Sequence, residues 1–209
     1  MATFYKRDEK ADEILQTLKE QINLHDGILK REHLKALGID YRRVLDFVET
    51  KDLVRIRNGY YTDTLDRFQE ESLIHALFPD AVLCMESALF VHGYIKERPF
   101  AWNLAVDKNT SKSRFVLDYP KVIPYYTEEQ SLLIGQTEIQ YEGIDFKIYD
   151  KERVICDCLK YEAKMDRAIY REALLSYIND ENKNIANLMA YARERKVVKK
   201  VQNIIGVWL

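Results

Sequence analysis

The chain has 209 residues, of which 47% are hydrophobic and 32% are charged, and its formal net charge is −2 at pH 7. This length allows one large or two small domains, and the apolar content is sufficient for packed cores. No apolar run approaches the length that spans a bilayer, and the start, Met1 to Lys10, is charged, so we expect neither membrane insertion nor export, and a cytoplasmic location.

The cysteines and histidines form no recognisable ligand pattern. Three cysteines lack the Cys-x-x-Cys spacing, and four histidines are scattered along the chain. This distribution predicts reduced cysteines in the core, no metal site and no cofactor.

The first predicted element is a helix over Asp8–Asn23. Ile14, Leu15, Leu18 and Ile22 recur at helical spacing and form one apolar stripe. We expect this stripe to pack beneath the elements that follow.

Residues 28–61 predict a winged helix-turn-helix. A short amphipathic helix over Lys30–Leu37 is followed by a turn at Gly38, and Asp40 stands where an N-cap oxygen satisfies free backbone N–H groups. The second predicted helix runs from Tyr41 to about Lys51, with its apolar residues at helical spacing.

After this helix the period changes from helix to strand. Leu53–Arg57 alternates as a strand does, Asn58-Gly59 predicts a tight turn, and Tyr60-Tyr61 begins the returning strand. This hairpin would be the wing, and residues 1–63 would form the DNA-binding domain.

The local charge favours contact with double-stranded DNA. Residues 28–61 carry eight basic and five acidic side chains, although the whole chain is slightly acidic. A recognition helix presents its first turn to base edges and phosphates, and basic groups on a neighbouring hairpin can bind further phosphates. The predicted DNA-binding residues are Tyr41, Arg42, Arg43, Arg55, Arg57 and Asn58. The alternative is that the arginines are solvated charges on a small helical domain.

Residues 64–209 predict a second domain that mixes strands and helices. We expect a mixed sheet of about five strands followed by an almost wholly helical end, so the predicted fold class is α+β. The predicted helices are Leu65–Leu77, Glu86–His92, Glu128–Ile134, Glu152–Lys164, Ala168–Asn179, Ile185–Arg195 and Val197–Gly206. The predicted β-rich segments are Ala81–Met85, Trp102–Val106, Arg114–Leu117, Val122–Tyr126, Thr137–Tyr141 and Ile144–Tyr149.

The most specific local feature of the second domain is the run from Asp150 to Asp157. Asp150 is placed to cap the helix that follows the last strand, and Arg153 and Asp157, four residues apart, can pair along that helix. The alternative is a carboxylate site in which Asp150 and Asp157 hold a metal or act on a proton. We favour the structural role, because Arg153 already supplies the counter-charge and no third ligand is evident.

A serine and a histidine on one predicted helix raise the question of catalysis. Ser87 and His92 are five residues apart, which places them far around the helix axis from each other. A nucleophile and its base would have to be neighbours, so this segment predicts no catalytic pair.

The last segment has a basic face. From Ala190 to Leu209 there are five basic residues and one acidic residue, while valines and isoleucines recur at helical spacing. One hypothesis is that this tail extends the DNA contact or meets an acidic surface; the alternative is a solvated helix face. The basic residues are Arg193, Arg195, Lys196, Lys199 and Lys200.

Three motifs in this order resemble the AbiEi antitoxins of type IV toxin-antitoxin systems, which are connected with abortive phage infection. They are the end of the hairpin, Arg57 to Tyr61, then Glu86 to Gly93, then Ile148 to Asp157. In the last motif the chain has Val154-Ile155 where family members usually have a small hydroxyl residue and leucine.

The resemblance implies a transcriptional repressor of its own operon that binds promoter inverted repeats through the N-terminal domain. It also implies that the second domain counters a nucleotidyltransferase-like toxin, without necessarily forming a stable complex. The chain lacks the Gly-Ser turn and paired acidic residues that such a transferase needs, so we expect no nucleotidyl transfer and no enzymatic activity.

Two other functions remain open from the sequence. The first is a stand-alone ligand-responsive transcription factor, whose second domain would hold a pocket lined by tyrosines and Trp102. The second is an enzyme acting on nucleic acid, with a divalent metal at Asp145, Asp150 or Asp157.

Overall fold

The computed structural model describes residues 9–206, and these form two compact units. The first unit contains residues 9–69 and also 112–119, and the second contains residues 70–111 and 120–206. The inclusion of 112–119 with the N-terminal elements has no counterpart in the sequence-based division at residue 63. Each unit has its own sheet.

Three α-helices, three short strands and a 3-10 helix build the described part of the first unit. The elements are α1 (Glu9–Leu24), β1 (Leu29–Lys30), α2 (Arg31–Ala36), α3 (Tyr41–Glu49), β2 (Val54–Arg57) and β3 (Tyr60–Thr62). Leu15, Leu18 and Ile22 of the predicted stripe are buried, with Leu18 and Ile22 fully inaccessible to solvent, and Ile14 is partly buried beside them. They form one core with Val44 and Phe47 of α3 and Tyr61 of β3. The apolar periodicity therefore positions α3 with one face against this core.

The strands of the first unit pair antiparallel in the order β1-β3-β2. Gly59 has a φ of +81° in the turn between β2 and β3, a backbone conformation that glycine adopts without steric cost. The Asn58-Gly59 hairpin predicted from the sequence is therefore present, and β1 was not predicted.

Two local predictions near the first unit were wrong. Arg114–Leu117 was predicted as a β-rich segment, but Lys112–Phe115 is a 3-10 helix. The predicted helix over Leu65–Leu77 begins only at Glu70. Before it, the side chains of Asp63 and Thr64 accept hydrogen bonds from backbone N–H groups one and two residues further on, and such local bonds compete with a helix.

The second unit contains a five-stranded mixed sheet, as the sequence predicts. Its order is β6-β5-β4-β8-β7; β4 pairs parallel with β8, and β5 with β6, while the other two pairings are antiparallel. The strands are β4 (Val82–Leu83), β5 (Trp102–Asp107), β6 (Val122–Thr127), β7 (Gln136–Tyr141) and β8 (Ile144–Tyr149).

The helices of the second unit match the predicted positions to within a few residues, except at the start of α4. They are α4 (Glu70–Leu77), α5 (Met85–Val91), α6 (Glu129–Leu133), α7 (Lys151–Tyr161), α8 (Arg167–Ile178), α9 (Ile185–Glu194) and α10 (Val198–Lys200), which continues into a π-helical turn over Val201–Ile205. The predicted helical end is thus confirmed, and the chain is α+β. None of the helices between residues 9 and 206 combines the length and apolarity required to cross a bilayer.

Candidate nucleic-acid interface

The first turn of α3 presents two arginines to solvent. Asp40 caps this helix, because its carboxylate accepts a hydrogen bond from the backbone N–H of Arg42 at 2.9 Å. Val44 and Phe47 hold the opposite face in the core. The side chains of Arg42 and Arg43 are consequently exposed at the start of a fixed helix.

The position of these arginines does not favour helix stability. The N-terminal end of a helix carries a partial positive charge, so acidic residues in the first turn stabilise a helix and basic residues oppose it by about 0.3–1 kcal/mol. The first turn of α3 has no acidic residue. An anion beside Arg42 and Arg43 would accept hydrogen bonds from the guanidinium groups and would also interact favourably with the positive end of the helix dipole.

Tyr41 has a packing role in addition to its place at the start of α3. Its hydroxyl accepts a hydrogen bond from the Tyr61 hydroxyl at 3.0 Å, and burial, reinforced by this bond, raises the pKa of Tyr61. The Arg31 guanidinium lies 4.9 Å from the centre of the Tyr41 ring. Tyr41 therefore fixes α3 against β3 and α2, and its side chain is only partly accessible.

The hairpin separates two arginines that strict alternation would place on the same face. The register between β2 and β3 shifts between Arg55 and Arg57, which is a β-bulge. Arg55 remains exposed, together with Asn58 in the turn. Arg57 is only 6% exposed; its guanidinium lies 3.9 Å from the Tyr60 ring centre and donates to the Arg114 carbonyl. The structure therefore gives Arg57 a packing role in the first unit, in place of the exposed position expected from alternation.

Sequence reasoning did not single out two exposed basic residues on α2. Arg31 and Lys35 are both exposed, and they are four residues apart on one helix. This spacing puts them on the same face. They were counted in the basic balance of residues 28–61, and the i,i+4 spacing was the signal that could have identified them.

A buried charge cluster occupies the centre of the second unit. Asp157 accepts hydrogen bonds from Nε of Arg153 at 3.1 Å and from Nε of Arg195 at 2.6 Å. Burial alone would lower the pKa of Arg195, but the Asp157 carboxylate raises it overall. Arg153 also donates to the carbonyls of Ser131 and Ile134. The pair predicted within α7 is present, and it is part of a larger network that joins α7 to α9 and to the chain before β7.

Asp150 takes the capping position that its sequence context predicts. Its carboxylate accepts from the Arg153 backbone N–H at 2.8 Å and from the Tyr191 hydroxyl at 2.9 Å. Asp150 and Asp157 are thus engaged with different donors. Among residues 9–206, no three His, Cys, Asp or Glu side chains gather in an arrangement suited to a metal ion.

The basic residues of the C-terminal tail divide into two sets. Arg195 is 5% exposed and is bound to Asp157, so it does not belong to a solvated basic face. Lys200 donates to Glu162 and to the Leu159 carbonyl. The exposed basic residues are Arg193, Lys196 and Lys199. A nucleic-acid or protein contact by this reduced set stays a prediction.

Two features considered for catalysis or ligand binding have packing partners. Ser87 accepts the backbone N–H of Asn103, whereas His92 bonds to the Tyr149 carbonyl, so the two side chains serve different neighbours. Trp102 is 7% exposed and stacks on Phe146. The tyrosine-lined cavity beside Asp157 has a volume of about 10 Å³. That is about the space of one water molecule, far below the volume of an ordinary ligand pocket.

The chain matches no protein-family model and no curated protein. The likeness to AbiEi antitoxins therefore depends on the three sequence motifs, Arg57 to Tyr61, Glu86 to Gly93 and Ile148 to Asp157.

Proposed function

We propose that this protein is a DNA-binding antitoxin that represses its own operon, and that its first unit is a winged helix-turn-helix. In this proposal α3 enters the major groove, α2 lies near the phosphate backbone, and the β2–β3 hairpin is the wing. The protein acts by binding and has no enzymatic activity.

The observation that carries the DNA-binding proposal is the exposed Arg42-Arg43 pair in the first turn of α3. Both guanidinium groups lie at the positive end of the helix dipole, where the Asp40 carboxylate is already engaged with the backbone N–H of Arg42. DNA phosphates and guanine edges would supply the missing acceptors. Arg31, Lys35 and Arg55 are further exposed cations of the same unit. Arg57 is left out of the proposed contact set.

The antitoxin part of the proposal derives from the motif resemblance. The role implied for the second unit is to counter a nucleotidyltransferase-like toxin, with or without a stable complex. The engagement of Asp150 and Asp157 by donors of their own unit supports a non-catalytic role. The promoter target implied by the resemblance is a pair of inverted repeats.

The DNA-binding proposal is tested by a gel shift on a duplex taken from the region upstream of the protein's own gene. Arg42→Ala with Arg43→Ala should weaken binding by at least about tenfold, because each base or phosphate interaction that is removed costs on the order of 1–3 kcal/mol. The slope of log affinity against log salt should also fall, by about 0.9 for each phosphate that the variant no longer neutralises. The matched control is Lys10→Ala with Lys19→Ala, which removes two basic side chains from α1.

An unchanged affinity in the α3 double variant, with the thermal melt also unchanged, would exclude α3 as the recognition helix. The antitoxin part is tested separately by co-expression with the adjacent gene and measurement of growth. We expect growth to be rescued by the wild-type chain and equally by the α3 double variant. Failure of both chains to restore growth that the adjacent gene inhibits would contradict the antitoxin assignment.

A further inference from the structure

A groove with an apolar floor runs along α8 in the second unit, with a volume of about 830 Å³. We call it the α8 groove. It lies between α8, the end of α7 and the turn that contains Ile204, and all of its lining residues belong to the second unit. The floor is made of aliphatic and thioether side chains: Met165, Leu174, Leu175, Ile178 and Ile204.

The side of the groove that α8 supplies has helical spacing. Arg167, Arg171, Leu175 and Ile178 follow one another at intervals of four, four and three residues, so they share one face of the helix. Leu175 is 49% exposed, so a ligand in the groove can contact it. This face has basic groups at its N-terminal end and aliphatic groups at its C-terminal end.

The rim of the groove carries an excess of positive charge. Lys160, Arg167 and Arg171 are exposed there, whereas Lys200 pairs with Glu162 at 2.8 Å. Within residues 9–206, neither Arg167 nor Arg171 has a carboxylate in salt-bridge range. The chain as a whole has a net charge of −2, so this basic rim is a local feature.

We infer that the α8 groove binds an acidic amphipathic helix of a protein partner. The aliphatic floor would accept the leucine-type face of that helix, and the rim would pair with its carboxylates. A nucleic acid fits less well, because bases stack on aromatic rings and the floor of the groove is mainly aliphatic, with Tyr170 as the one aromatic lining residue of the groove. The Tyr170 side chain is partly buried.

This inference does not depend on DNA binding by α3. The two surfaces belong to different units, and the Arg42→Ala, Arg43→Ala variant should bind a groove ligand as the wild type does. A negative gel-shift result would therefore not bear on the α8 groove. A negative peptide-binding result would likewise not bear on DNA binding by α3.

The test uses a fluorescent synthetic peptide of about 15 residues, long enough to form a helix on binding. The peptide has leucine at helical spacing on one face and glutamate at the remaining positions. A second peptide keeps the leucines and replaces every glutamate by lysine. Binding to the full chain is measured by fluorescence anisotropy. We expect the acidic peptide to bind at least about tenfold more tightly than the basic peptide.

Two variants locate the binding site. Arg167→Glu with Arg171→Glu should weaken the acidic peptide by at least about tenfold. Leu175→Ser should weaken binding of the acidic peptide by about threefold or more. It should not unfold α8, because Leu175 is half-exposed. The matched control, Lys108→Glu with Lys121→Glu, reverses two exposed charges of the same unit outside the groove and should stay within about twofold. Thermal melts of all variants verify folding.

Several outcomes would overturn the inference. Equal affinity for the acidic and the basic peptide would contradict recognition by charge. Equal affinity of the folded wild type and the folded Arg167→Glu, Arg171→Glu variant for the acidic peptide would contradict it as well. No binding of the acidic peptide at millimolar concentration would exclude the proposed occupant. A single-stranded oligonucleotide that binds the groove more tightly than the peptide would assign it to nucleic acid. Self-association that disappears in the Leu175→Ser variant would assign it to a second copy of the chain.

Discussion

Replacement of Asp157 by asparagine should strongly destabilise the second unit. Asp157 is 3% exposed, and it is the shared acceptor of Arg153, which is 1% exposed, and Arg195, which is 5% exposed. Asparagine keeps the side-chain shape but has no charge. The substitution therefore leaves two buried guanidinium groups without the carboxylate that neutralises them.

The magnitude follows from the burial of all three side chains. Breaking a buried ion pair from one side costs about 3–5 kcal/mol, because the remaining charge is uncompensated in a medium of low polarity. Domains are commonly stable by about 5–15 kcal/mol, so this loss is a large part of the total. In a chain of this length, about 1 kcal/mol corresponds to about 2–4 °C, which gives an expected decrease in Tm of about 6–20 °C.

The assay is urea denaturation of the full chain carrying Trp208→Phe in every variant, so that the fluorescence reports Trp102, which is buried in the second unit. The control is Asp145→Asn, an exposed position on β8 that should change the free energy of unfolding by less than about 0.5 kcal/mol. Asp157→Asn combined with Arg195→Met should be more stable than Asp157→Asn alone, because one of the two uncompensated charges is removed. A free energy of unfolding for Asp157→Asn within about 0.5 kcal/mol of the wild type would refute the reasoning.

Three further substitutions test other parts of the structure. Gly135→Ala should lower the free energy of unfolding by at least about 1 kcal/mol more than Gly143→Ala. Both glycines have positive φ, but a Cβ at Gly135 would lie 2.5 Å from Cβ of Arg153, whereas one at Gly143 would meet no atom within 4 Å. Burial lowers the pKa of His92 below 6.5. As the pH decreases, the unfolded state therefore takes up the proton before the folded state does, and the free energy of unfolding should fall between about pH 7 and about pH 5.5. His92→Gln should reduce this pH dependence in thermal melts. Asp40→Ala should cost about 1 kcal/mol of stability in the first unit by removing the cap of α3, and Asp40→Asn should restore most of it in denaturation curves.

The sequence predicts local features well where neighbouring residues decide them. The segments Thr137–Tyr141 and Ile144–Tyr149 were predicted as β-rich, and they lie in two strands that pair antiparallel. The caps of α3 and α7 were identified from aspartates before a helical pattern. Each of these features depends on groups only a few residues apart, and their spacing is visible in the chain.

Predictions failed where contacts distant in the sequence outweigh local preference. Arg114–Leu117 has β-forming residues, yet the segment includes a 3-10 turn packed in the first unit, where the Arg114 carbonyl accepts from Arg57. The partners in that bond are 57 residues apart. No periodicity within either segment encodes such a contact, because secondary-structure preference is weak relative to tertiary packing.

The sequence by itself determined the α+β class, the order of most elements, the helix caps and the pairing of Arg153 with Asp157. Only the tertiary structure decided which basic residues remain exposed: it buries Arg57 and Arg195 and leaves Arg42, Arg43 and Arg55 in solvent. The physical reason is that a guanidinium group is buried only where a distant carboxylate, carbonyl or ring compensates its lost hydration. Asp157 lies 38 residues before Arg195, and folding is what brings them within 2.6 Å of each other.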